Sequence, residues 1–226
     1  MIKYLLWDVD GTLLDFLTAE RYSLHNTFRH FGLGDCSDEK CRQYSAINLK
    51  YWQRLERGEV TKEQVLVGRF REFLELNGIT HISARDFCKK YEDGLSDVIT
   101  YIDNSPELLK RLSHTYKQYI VTNGALNVQT KKLAKSGFDD VVDGVFISDR
   151  VGYEKPSREF FDYVFNAIGS PDPAEVLIIG DSLTSDMAGG INCGIHTCWY
   201  NPDALPKPDN IDYTISNLWE INNILA

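Results

Sequence analysis

Asp8 and Asp10 stand one residue apart in WDVDGTLLD, directly after the apolar run Tyr4-Leu5-Leu6 and just before Gly11 and Thr12. Two carboxylates at the end of a hydrophobic strand are costly to desolvate unless a cation or a proton relieves their repulsion. A calcium loop of the D-x-D-x-D-G-x5-E kind does not fit. Its glycine would come at the wrong position, Thr12 stands where an oxygen-rich third ligand is usual, and no glutamate closes the loop. Other polar groups recur in the same setting, past an apolar run or before a helix. Thr122-Asn123-Gly124 follows Gln118–Val121, and Lys155-Pro156 precedes a helix. Gly180-Asp181-Ser182 follows Glu175–Ile179, with Asp186 five residues beyond Asp181.

Carboxylates from separate strands make a hard oxygen site, which suits magnesium better than zinc. The ion, Lys155 and the loop amides would neutralise an incoming phosphate, and Thr122 and Asn123 can donate hydrogen bonds to its oxygens. This is the equipment of phosphoryl transfer, which depends mostly on positioning and charge stabilisation. An aspartate can also be the nucleophile, and Asp8 is the better candidate because it comes first off the strand. Asp10 would then protonate the leaving oxygen and later take a proton from water. Repulsion between the two carboxylates would push their pKa values apart and suit them to unlike roles. Each group alone has a blander reading: a solvated turn for D-x-D, turn chemistry for Thr122-Asn123-Gly124, a helix start for Lys155-Pro156, an N-cap for Asp181-Ser182. Their order along the chain, each at a strand end or helix start, singles them out.

The elements that must position these groups fall into two textures. Residues 16–98 read as consecutive helices, with Leu24, Phe28 and Phe31 at helical spacing, and Ile47, Tyr51 and Leu55 likewise. Thr61-Lys62-Glu63-Gln64 is a capping-box pattern, and the helix it opens stops at Asn77-Gly78; Ser83–Asp86 opens a fourth. From about residue 99, short apolar strands alternate with helices. The strands are 118–121, 144–147, 175–179, 195–199 and 213–215, and Ser105-Pro106 is read as an N-cap followed by proline. Such alternation predicts an α/β fold, a parallel sheet with helices on both faces. The opening strand belongs to it. The expected organisation is a discontinuous α/β core of residues 1–15 and 99–226, with a helical insert over 16–98.

Composition bounds the partners. The chain has 226 residues, 43% hydrophobic and 25% charged, with a formal net charge of −9. That balance argues against a nucleic-acid polymer as partner, yet leaves room for a small anion held by a local cation. No apolar run approaches the roughly 20 residues of a membrane span, and Met1-Ile2-Lys3-Tyr4 lacks the layout of a signal peptide. Five cysteines, an odd set, suit free thiols in a reducing cytoplasm. Cys193, His196 and Cys198 lack a fourth ligand nearby and read as part of a turn and strand rather than a metal site.

Taken together, DVDGT (8–12), TNG (122–124), KP (155–156) and GDSLTSD (180–186) resemble the four signature motifs of the haloacid dehalogenase superfamily, over essentially the whole chain. The resemblance implies a Rossmann-like core with a helical cap inserted after the first motif. It implies Asp8 as nucleophile and Asp10 as acid/base, with Thr122 and Lys155 on the phosphate. Magnesium would be held by Asp8, the backbone carbonyl of Asp10, and Asp181, while Asp186 would orient Lys155 or a metal-bound water. The namesake dehalogenases lack the second aspartate, so Asp10 points to a phosphohydrolase or a phosphomutase.

Outside those motifs, residues 44–70 and 189–202 are similar to the YjjG-type pyrimidine 5'-nucleotidases, which remove phosphate from nucleoside monophosphates. That group can carry glutamate after the second aspartate, where Gly11 stands here. The implied activity is magnesium-dependent hydrolysis of nucleoside 5'-monophosphates by a monomer or homodimer. The alternatives are another small ester, such as a sugar phosphate or phosphoglycolate, or a non-catalytic relative that binds phosphorylated ligands. Within the insert, Asn48, Tyr51, Trp52 and Arg69 are candidates for base or sugar contacts. Packing in the insert's own core is the competing expectation for these side chains.

Overall fold

The computed structural model describes residues 1–226. Strand β1 (Tyr4–Trp7) is followed by helices α1 (Phe16–His30), α2 (Asp38–Glu56), α3 (Lys62–Leu76) and α4 (Ala84–Gly94). Then come α5 (Ser105–Leu112), β2 (Lys117–Thr122), α6 (Leu126–Ser136), β3 (Gly144–Ile147), α7 (Ser148–Val151) and α8 (Arg158–Ala167). The chain closes with β4 (Val176–Gly180), a π-helical turn (Leu183–Met187), α9 (Ala188–Cys193), β5 (His196–Tyr200), β6 (Tyr213–Ile215) and α10 (Ile221–Leu225). Two compact units result: Met1–Asp15 with Thr100–Ala226, and Phe16–Ile99.

The first unit is built on a six-stranded, all-parallel sheet in the order β3-β2-β1-β4-β5-β6. The α/β expectation therefore holds, and the fold is Rossmann-like. Leu5, Leu6 and Trp7 of β1 are fully buried, the apolar content a central parallel strand needs when both sheet faces are covered. Leu6, Val121, Phe160, Phe161, Val164, Val176 and Ile178 share one apolar cluster against the sheet. Strand order reverses at β1, so the crevice at the carboxyl ends of β1 and β4 is where such sheets take their ligands. The register puts Trp7 opposite both Ile120 and Ile179, which brings the polar ends of β1, β2 and β4 to one level.

The chain leaves and re-enters this unit side by side: Asp15 N donates to Thr100 O at 2.9 Å, and Ile102 N to Leu13 O at 3.0 Å. Here one expectation fails. Ser105 does not cap α5. Asn104, in the left-handed region at φ 55°, takes that position, while the Ser105 hydroxyl donates to Leu13 O at 2.8 Å. Leu13 O already accepts from Ile102 N, and Ser105 adds a second hydrogen bond to this carbonyl at the crossing.

The second unit is helical, around Phe28, Tyr44, Phe70, Phe73, Phe87 and Tyr91, all buried and in ring contact. Such pairs each add about 0.5–1.5 kcal/mol beyond area burial. Thr61 and Gln64 form the capping box of α3, and Ser37 and Ser83 cap α2 and α4. The buried face of α2 is Cys41, Tyr44, Ile47 and Asn48, so it ends before Tyr51 and Leu55, which are half-buried. No helix is long and apolar enough to cross a membrane.

Candidate active site

Asp8 continues the ladder of β1 by one bond, its N–H donating to Ile179 O at 2.9 Å, and the residue is 7% exposed. The chain then folds back tightly: Leu13 N and Leu14 N both donate to Val9 O at 2.9 Å, and Gly11 N to Leu14 O at 2.9 Å. Gly11 has φ +92°, and a Cβ there would stand 2.6 Å from Asp181 Oδ2. Only glycine satisfies both the backbone and the approach of that carboxylate. Thr12 Oγ1 donates to Asp181 Oδ1 at 3.3 Å.

Lys155 is the hub of the site. Its buried ammonium donates to Asp8 Oδ1 at 2.7 Å, Asp186 Oδ1 at 2.5 Å and Val121 O at 2.8 Å, which uses all three hydrogens. Burial works against the charge, but the Asp186 and Asp8 carboxylates outweigh it and hold Lys155 above its ordinary range. Asp8 is shifted upward, chiefly because it is buried, with the Lys155 charge opposing. Asp181 still presents surface to solvent, but dense protein around its carboxyl, then the Asp186 charge, push it up to about 7.

Asn123 serves differently from the phosphate donor expected of its side chain. Its Oδ1 accepts from Lys155 N at 2.8 Å, and its Nδ2 donates to Lys155 O at 2.8 Å and Ser185 Oγ at 3.3 Å. The amide thus clamps the Lys155 backbone from both sides, because a loop carrying a buried ammonium must be held in place. Asp181 stands just before the π-helical turn and Asp186 within it, and Ser182 caps the turn by accepting from Ser185 N at 3.1 Å. Trp199 Nε1 donates to Asp181 O at 2.9 Å.

Two residues absent from the expected set also reach the site. Lys132 Nζ donates to Asp10 Oδ1 at 2.6 Å, and Gln129 Nε2 donates to Asp10 Oδ2 at 2.9 Å and Thr122 Oγ1 at 2.6 Å. A signal existed: both lie on α6 directly after Thr122-Asn123-Gly124, three apart, on the face that buries Val128 and Leu133.

With this geometry in view, likeness to known proteins becomes informative. The family model for haloacid dehalogenase-like hydrolases matches residues 5–200. The chain belongs to that family. The hydrolase is 38% identical to the HAD-hydrolase YfnB of Bacillus subtilis, over 99% of this chain and 95% of that one. It is 30% identical to the pyrimidine 5'-nucleotidase YjjG of Escherichia coli, over 99% and 97%. It is 33% identical to the pyrimidine 5'-nucleotidase PynA of Streptococcus pneumoniae, over 90% and 85%. A crystal structure of YfnB bound to magnesium superimposes with a TM-score of 0.92, at 36% identity, covering 99% of this chain and 98% of that one.

The hydrolase's donor set fits a magnesium ion. Carboxylate oxygens of Asp8, Asp181 and Asp186 all lie within 4.8 Å of one another, a cluster of hard oxygen ligands with no thiolate or imidazole among them. The candidates in the helical unit have other partners. Arg69, 2% exposed, donates to Asn48 Oδ1 at 2.6 Å, and Trp52 Nε1 donates to the same oxygen at 3.1 Å. Asn48 Nδ2 in turn donates to the buried Glu20 at 3.0 Å. Asn48 and Arg69 are therefore packed inside this unit, whereas Trp52 and Tyr51 are half-buried.

Proposed function

We propose that this hydrolase is a magnesium-dependent phosphatase that cleaves nucleoside 5'-monophosphates, of the pyrimidine type, through an aspartyl-phosphate on Asp8. One observation carries the chemistry. Asp8 is fixed by Lys155, while Asp10, two residues on, is separately held by Lys132 and Gln129, so the carboxylates have unlike surroundings and can take unlike roles. The nucleotide part is supported by the near full-length likeness to YjjG and PynA.

In the first step a carboxylate oxygen of Asp8 bonds to phosphorus as the ester P–O bond breaks, and Asp10 gives its proton to the departing oxygen. In the second, water attacks that phosphorus, Asp10 takes the water's proton, and the Asp8–phosphorus bond breaks to release phosphate. Thr122 donates to a phosphate oxygen, and Lys155 keeps Asp8 oriented and balances charge. Asp8, Asp181 and the Asp10 carbonyl would hold magnesium, with Asp186 bonded to Lys155 beside them. When bound, the ion supplies Lewis-acid charge to the phosphate oxygens. Choice among esters is assigned to the helical unit, where Trp52 and Tyr51 keep exposed surface, with Asn48 and Arg69 buried behind. Five free cysteines suit a cytoplasmic setting.

The deciding experiment measures phosphate release from a panel of nucleotides and sugar phosphates, with magnesium or EDTA, for the wild type and Asp8→Asn. Magnesium-dependent release from pyrimidine monophosphates, abolished in Asp8→Asn, is expected. No turnover of any ester by the wild type would sink the phosphatase reading. Turnover confined to sugar phosphates would remove the nucleotide.

A further inference from the structure

We infer that Gln129 and Lys132 are positioning residues for Asp10, and that Gln129 also fixes the direction in which the Thr122 hydroxyl donates; this rests on the phosphatase reading above.

The Asp10 carboxylate is held at both oxygens by two different side chains, Lys132 on Oδ1 at 2.6 Å and Gln129 on Oδ2 at 2.9 Å. A single contact would leave the carboxylate free to rotate about its terminal torsion. Two contacts on opposite oxygens define the plane of the group, which a proton-transfer residue needs to meet the departing oxygen. Lys132 is 2% exposed and Gln129 fully buried, although both side chains are long and polar enough to reach solvent from other positions. A helix face needing only to pack would carry leucine or methionine there, without the desolvation penalty.

The amide of Gln129 has one sense that works. While Asp10 is ionised, as it is when it takes the proton of the attacking water, the NH2 must face it, since the oxygen would repel a carboxylate, and the same nitrogen donates to Thr122 Oγ1 at 2.6 Å. Thr122 is thereby the acceptor of that bond, so its own hydroxyl hydrogen is free to point to a phosphate oxygen. The arrangement leaves Gln129 Oε1 buried with no hydrogen-bond partner in the protein. Burying an acceptor without a partner is unfavourable, which a residue selected for stability alone would avoid.

Gly124 supplies an independent observation. Its φ is not in the left-handed region, so turn geometry does not require glycine there. A Cβ at 124, however, would stand 2.4 Å from Gln129 Cγ, Cδ and Nε2. The third residue of the Thr122-Asn123-Gly124 loop is thus small so that Gln129 can run past it to Asp10.

The test compares kcat/KM for p-nitrophenyl phosphate, phenyl phosphate and uridine 5'-monophosphate in the wild type, Gln129→Leu, Lys132→Met, Lys132→Arg and Gly124→Ala, with Asp10→Asn as reference. Misplacing a proton donor matters most when the leaving oxygen is strongly basic. Lys132→Met should lose about 10- to 100-fold on the nucleotide and under about 3-fold on p-nitrophenyl phosphate, whereas Gln129→Leu and Gly124→Ala should show the same dependence on the leaving group on top of a common loss on all three esters, because Thr122 loses its fixed direction as well. Lys132→Arg should recover most of the loss. Equal loss on all three esters, or no loss, overturns the inference, and melting curves for each variant separate misfolding from misplacement. Gly124→Ala keeps both polar residues and so tests the geometry should Lys132→Met fail to fold. If Asp10→Asn itself shows no dependence on the leaving group, Asp10 is not the acid, and the phosphatase mechanism fails along with the inference.

Discussion

Lys155 Nζ lies 2.5 Å from Asp186 Oδ1, and both side chains are only 1% exposed. A buried pair of this kind contributes little net stability when intact, but removing one partner strands the other charge, at about 3–5 kcal/mol. Here the stranded charge would be double, because Asp8 shares the ammonium at 2.7 Å. Lys155→Met is expected to lower unfolding free energy by about 3–5 kcal/mol and to abolish turnover. Urea denaturation monitored by circular dichroism checks the first, and phosphate release the second. A variant as stable as the wild type would contradict the charge reading of the hub.

Gly11 tests the approach of the loop to Asp181. Gly11→Ala forces a Cβ into a left-handed position 2.6 Å from Asp181 Oδ2, so the backbone must strain or the carboxylate must move. The strain is about 1–3 kcal/mol. Magnesium affinity, measured by calorimetric titration, should fall with the stability. Unchanged affinity would mean that Asp181 is not a ligand in the position seen here.

The strand ends were legible because each polar group interrupts an apolar run, a contrast that burial enforces. β3 and β6 fall where composition placed them, at 144–147 and 213–215. Side-chain duties were not legible in the same way. Asn123 follows a strand and has the chemistry of a phosphate donor, yet its amide is consumed by the Lys155 backbone. Gln129 and Lys132 were missed because a polar residue on a helix is ordinarily assigned to the solvated face. Only the sheet topology, which sets α6 beside the carboxyl end of β1, turns that face inward. Ser105 failed for a similar reason: its partner, Leu13 O, is 92 residues away in the chain.

The acidic cluster predicts how metal binding responds to pH. Burial and the Asp186 charge put Asp181 at about 7, so without metal it carries a proton in about half of the molecules at neutral pH and in nearly all of them at lower pH. A cation must displace it. Magnesium affinity should therefore weaken as pH falls below about 7, by about tenfold per pH unit for one displaced proton, and level off above it. Calorimetry in two buffers of different ionisation heat reads the released proton directly. Binding heats that do not depend on the buffer, with an affinity flat from pH 6 to 8, would contradict this.

Glu20 gives the helical unit its own pH response. Burial raises its carboxyl from 4.5 to about 7, against the opposing hydrogen bonds of Ser45, Tyr91 and Asn48 and the Arg69 charge. The folded protein thus holds a proton that the unfolded chain releases. Stability contributed by this group is highest below about 4.5, declines as pH rises toward 7, and above that the full penalty of about 3 kcal/mol is present. Glu20→Gln mimics the protonated form. Its oxygen can accept from Asn48 Nδ2, and its nitrogen can donate to Ser45 Oγ, whose hydroxyl proton, given to Glu20 in the wild type, can turn to Cys41 O, 3.0 Å away. The variant should match the wild type near pH 5 and exceed it at pH 8 by up to about 3 kcal/mol. Urea denaturation at both pH values, in EDTA so that metal linkage does not intrude, measures the difference. The same gap between variant and wild type at both pH values would show that Glu20 does not titrate in this range.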